Sequence, residues 1–119
     1  MPQYMLLIYE DEKNYQKVSE ADGKAIMAAY GDFTASIQKA GQFKAGDALQ
    51  PVATATTVRV KDGKTVKTDG PFAETKEQLG GYYLVEAKNL DEAIAIAARI
   101  PAARTGSIEV RPVMVMPQG

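Results

Sequence analysis

Residues 80–101 read GGYYLVEAKNLDEAIAIAARIP. Gly81 to Ala87 is rich in aromatic and branched residues, as a strand is. Asn89 and Glu92, three apart, have the spacing of a capping box at a helix start. Leu90, Ala93, Ile94, Ala97 and Ile100 then recur on one helical face, and Pro101 stops the helix because it brings no N–H to the ladder. Ile108 to Val113, IEVRPV, reads as a strand, so this part of the chain is strand, helix, strand.

The first part of the chain repeats that plan without repeating the sequence. Tyr4 to Tyr9, YMLLIY, is a continuous apolar run suited to a strand. A polar stretch follows, Glu10 to Lys17. Ser19 with Asp22 is an aspartate variant of the capping box, and Ile26, Tyr30, Phe33 and Ile37 form one helical face. Lys39 and Gly41 suit a helix end, which places a helix over about residues 20–40. Gly31 lies inside it and predicts close packing against another backbone. GQFKAGDALQP, residues 41–51, then gives a short strand.

Between the two parts lies a hairpin. Thr54 to Val60, TATTVRV, alternates; Asp62-Gly63 is a strong two-residue turn signal; Thr65 to Thr68 returns. Without this insertion, the order is the ferredoxin-like one of two strand-helix-strand halves. The expected fold is α+β: one domain over residues 1–119, an antiparallel sheet with two helices on one face, and an inserted β-hairpin. Two strands are apolar on both faces. Leu6 and Ile8 alternate with Met5, Leu7 and Tyr9, and Tyr82 and Leu84 alternate with Tyr83 and Val85. Helices on one face leave the other exposed, so a homodimer packed sheet to sheet is expected.

Composition removes several function classes. The chain has no cysteine and no histidine, which excludes thiolate chemistry and any Ser-His or Cys-His mechanism. Carboxylates alone suit hard cations rather than zinc or copper, so neither a metal site nor a redox cofactor is expected. A net charge of −1 with scattered lysines and arginines argues against nucleic acid as a partner. No apolar stretch reaches membrane-spanning length, and Met1 to Glu10 lacks the basic flank of a signal peptide. A soluble, cytoplasmic protein is expected.

The stretches YMLLIY, GDALQPVATATTVRV, DGPFAETKEQLGGYYLVE and LDEAIAIAARIPAARTGSIEVRPV together resemble the DGPF-domain proteins, a branch of the YCII-related family. The resemblance covers about Tyr4 to Val113. It implies the dimeric α/β-barrel superfamily, a bacterial source and a neighbourhood with extracytoplasmic-function sigma factors, hence a non-enzymatic regulatory or interaction role as the alternative to metabolite binding. It implies little chemistry. The His-Asp pair proposed as catalytic in the wider family has no counterpart here, since there is no histidine.

Thr68 to Gly81 supports two readings. In the first it is a turn: Asp69-Gly70-Pro71 reverses the chain, Phe72 plugs the core, Ala73 to Gln78 form one helical turn, and Gly80-Gly81 pass close to another backbone. In the second, Asp69, Glu74 and Glu77 converge on a pocket, with Asp69 the favoured catalytic acid or base. Tyr9 and Tyr83 are candidate ligand contacts, as are Arg59, Arg104 and Arg111, whose guanidinium forks suit an anion. Structural roles compete for each: interface rings for the tyrosines, a salt bridge for Arg111 with Glu109. The functional expectation is a small acidic or aromatic metabolite in a cleft between sheet and loop, with carboxylate acid/base chemistry if there is catalysis.

Overall fold

The computed structural model describes residues 1–117. Its elements are β1 (Gln3–Glu10), α1 (Lys13–Gln16), α2 (Glu20–Lys39), β2 (Phe43–Ala48), β3 (Thr56–Lys61), β4 (Lys64–Asp69), β5 (Gln78–Glu86), α3 (Leu90–Ala97) and β6 (Ser107–Pro112), with 3-10 turns at Val52–Thr54 and Pro101–Arg104. The main sheet runs β2-β5-β1-β6 with every pairing antiparallel, the ferredoxin-like arrangement. No helix among the described residues is long and apolar enough to cross a membrane.

Local chemistry explains the boundaries. Ser19 Oγ accepts from Asp22 N (3.1 Å) and Asn89 Oδ1 from Glu92 N (2.9 Å), so both helices start on side-chain caps. The Glu92 carboxylate reaches back to Lys88 N rather than to the cap residue. At the end of α2, Gly41 has φ 74°, Gln42 N bonds to Ile37 O, and Gly41 N bonds to Gln38 O. That pair of bonds is the Schellman closure, which needs a left-handed residue. Asp62 and Gly63 both have positive φ (51° and 77°), the type I′ turn that joins β3 to β4.

The core lies between the sheet and α2 and α3. Along β1 every second side chain turns inward: Tyr4, Leu6, Ile8 and Glu10 are buried. They meet Val85 of β5, Phe33 and Ile37 of α2, and the face Ala93, Ile96, Ala97 and Ile100. Leu6, Ile37 and Ile100 are fully buried and each contributes about 1.5–3 kcal/mol. The inward face of α3 is turned slightly from the expected one. Ile96 is buried, while Leu90 and Ile94 are about half exposed. The spacing 93, 96, 97, 100 fits the sheet, and residues 90 and 94 fall on its flank.

Three local expectations are corrected. Gly31 has open space where a Cβ would stand, so no backbone packs against it. Phe72 is 79% exposed and plugs no core. Ala73 to Glu77 form bends and irregular backbone and Gln78 opens β5, so there is no helical turn. There the Thr75 hydroxyl donates to Glu77 O and Gln78 Nε2 to Thr75 O, bonds that fold the segment tightly without a helical ladder. Gly70, with φ 97°, bends the chain after β4; its N–H bonds to Ala55 O and its C=O accepts from Thr57 Oγ1.

The hairpin is a sheet of its own, and every residue of β4 is exposed. Met5, Leu7, Tyr9, Tyr82 and Leu84 form the apolar part of the helix-free face of the main sheet and are half-buried.

Candidate functional site

The alternation of β1 determines where the chemistry sits. Glu10 continues the inward row of Tyr4, Leu6 and Ile8, so its carboxylate enters the protein where the core gives way to a cavity. It is 7% exposed. The Tyr15 hydroxyl of α1 donates to its Oε1, and the Thr105 hydroxyl donates to its Oε2 at 2.7 Å. Two donors, one on each oxygen, hold the carboxylate in a fixed plane and leave it further lone pairs.

The cavity is about 630 Å³, within the range of metabolite sites. The first turns of α2 form one wall with Ile26, Met27, Tyr30 and Thr34; β2 and β5 form the other with Phe43, Gly46 and Tyr83. Tyr83 is locked in place: its ring meets Phe33 edge-on at 5.1 Å and its hydroxyl shares a hydrogen bond with Thr34 Oγ1 at 2.7 Å. Thus the apolar face of α2 has two uses. Phe33 and Ile37 seal the core, while Ile26 and Tyr30 line the cavity.

Backbone irregularity opens the space. The β1–β5 register slips between Ile8 and Tyr9, which leaves Gly80 as a bulge. A Cβ on Gly46 would come within 2.8 Å of the Tyr83 ring, and one on Gly81 within 2.8 Å of Asp47 O. Larger residues there would push β2 off β5 or fill the cavity. Gln78 ties the rim together, accepting from Glu12 N (2.9 Å) and donating to Thr75 O (2.6 Å). Glu12 Oε2 accepts from Val52 N (3.0 Å), and Tyr82 donates to Asp47 Oδ2 (2.6 Å).

These contacts set the ionisation of the hydroxyls. Burial first, then the bond to Glu10, lifts Tyr15 well above the ordinary tyrosine range. Burial and the Glu10 charge push Tyr30 up to about 12. The hydrogen bond to Asp47 raises Tyr82. All three remain neutral proton carriers at physiological pH.

Of the residues singled out from the sequence, Tyr83 lines this cavity. Tyr9 points to the helix-free face of β1. Arg111 lies on that face too, with its Nε 3.6 Å from Glu109 in an exposed ion pair. Asp69 and Arg59 are exposed on the hairpin, and Arg104 is exposed in the turn before β6. The structure does not bring these residues together, and Asp69, Glu74 and Glu77 do not converge: the described residues contain no group of three acids placed to hold a metal. Sequence reasoning missed Glu10, Tyr15, Tyr30, Thr34 and Thr105. One signal was present for Glu10: carrying the alternation of β1 two residues past Ile8 places a carboxylate in an apolar row.

The fold is that of a small α+β domain, and comparison specifies the family. The chain belongs to the YCII-related domain family, whose pattern it matches over residues 2–117. It is 37% identical over 118 residues to an uncharacterized protein of Rhizobium meliloti (strain 1021), a match that covers 98% of this chain and 95% of that one.

Proposed function

We propose that this YCII-related protein binds a small metabolite in the cavity under α2, and that Glu10 is its proton-transfer group. The observation that carries this reading is the buried carboxylate facing a 630 Å³ space while held by Tyr15 and Thr105. A buried, positioned carboxylate can take a proton from a bound molecule, and a neutral tyrosine beside it can return one. The working assembly in this reading is a homodimer, paired through the helix-free sheet faces. Met5, Leu7, Tyr9, Tyr82 and Leu84 give that face an apolar centre.

The test is a fragment screen by ligand-observed NMR on wild type and on Ala48→Trp. Ala48 is exposed and lines the cavity, so the indole would fill its mouth without disturbing the core. Binders of wild type that are lost in Ala48→Trp are the expected result. Binders unaffected by the tryptophan would place the ligand elsewhere and sink the proposal.

A further inference from the structure

The charge of the cavity narrows its ligand. Glu10 and Glu12 line it, and no lysine or arginine does; the Asp47 carboxylate turns to the helix-free face, where it meets Tyr82. The ion pairs among the described residues are Lys24–Glu20, Lys44–Glu86 and Arg111–Glu109, so neither of these two carboxylates has a cation within 4 Å. Carboxylates drawn into a partly dry space without a counter-charge are costly, and a cation entering that space relieves the cost.

The remaining hydrogen-bonding capacity points the same way. Glu12 Oε1 has no protein partner among the described residues, since Val52 N binds the other oxygen. Glu10 accepts one bond per oxygen. These are acceptors waiting for a donor with several N–H groups. The walls add aromatic faces from Tyr15, Tyr30, Phe43 and Tyr83, which attract cations, beside the aliphatic surface of Ile8 and Ile26.

We propose that the ligand is an organic ammonium ion on an apolar or aromatic body, its charge met by Glu10 and Glu12. This rests on the cavity reading and deepens it. It separates this site from an anion site, because Arg59, Arg104 and Arg111 all lie outside it.

The experiment uses three probes of one shape and different charge: 2-phenylethylammonium, 2-phenylethanol and 3-phenylpropionate. Binding to the full chain is measured by NMR titration at low salt, with Ala48→Trp as the blocked control. The ammonium is expected to bind at least tenfold tighter than the alcohol, and the carboxylate weakest. In Glu12→Gln the advantage of the ammonium should shrink several-fold while the alcohol is unchanged. An alcohol that binds as well as the ammonium, or a carboxylate that binds better, overturns the cationic ligand but leaves the cavity reading standing. No binding by any probe at millimolar concentration, or binding that Ala48→Trp does not weaken, overturns both.

Discussion

Glu10 is where the inward row of β1 changes from apolar side chains to a buried carboxylate, and its replacement tests what that carboxylate holds. Glu10→Ala leaves the Tyr15 and Thr105 hydroxyls without their acceptor. It should cost about 1–3 kcal/mol, read from urea unfolding, because the stranded donors lie in a partly buried site. Asp69→Asn should change stability by less than about 0.5 kcal/mol, since Asp69 is an exposed side chain at the end of an exposed strand. The tyrosines supply a pH prediction. Tyr30 has its folded value raised from 10.0 to about 12, so between those two values the unfolded chain has lost a proton that the folded chain keeps. Stability contributed by keeping this hydroxyl neutral is complete below pH 10 and is lost as pH rises towards 12. Alkaline titration followed at 295 nm should show Tyr15 and Tyr30 ionising above the ordinary tyrosine range while the protein stays folded.

At the scale of elements, the caps and the hairpin have separable roles. Ser19→Ala and Asn89→Ala each remove a side-chain acceptor from a helix start, and each should cost about 1 kcal/mol in chemical unfolding. The hairpin β3–β4 pairs only with itself, so joining Ala55 to Gly70 through a short glycine linker should leave the main sheet folded. A circular dichroism melt within a few degrees of wild type is the expected result; a collapse of the melt would mean that the main sheet depends on the hairpin. An isolated two-stranded ribbon is marginal in water. Val58, Val60 and Val66 on this one are exposed, which is surface suited to contact with another molecule.

The whole molecule is broad and thin, with extents of 50 × 48 × 19 Å. Its radius of gyration is 16.6 Å, against about 13.5 Å for a compact chain of this length. Hairpin and sheet spread the mass instead of closing around one core. Exposed Phe72, Met114, Val115 and Met116 add apolar surface at the margins. This shape agrees with the proposed dimer, in which the helix-free faces supply each other's missing layer. Leu84→Arg puts a charge into the centre of that face and should convert dimer to monomer in native mass spectrometry, with little change in the fold. A monomeric wild type at micromolar concentration would refute the dimer.

The local elements were readable because their causes are local. The capped starts of α2 and α3, the glycine stop at Gly41 and the Asp62-Gly63 turn each follow from a few adjacent residues and their backbone preferences. The two strand-helix-strand halves followed from apolar spacing. The cavity was not readable in this way. It is assembled from β1, α1, α2, β2 and β5, and Glu10 meets Thr105, in the turn before β6, across 95 residues of chain. The acid-rich motif at residues 69–77 looked like chemistry because its polar groups are dense in sequence, yet the fold leaves most of it exposed. Sequence alone determined the six strands, the helices α2 and α3 and the family, since these lie in short-range pattern. Only the tertiary structure decided which carboxylate is buried and what faces it, because burial depends on the neighbours that packing brings from distant parts of the chain.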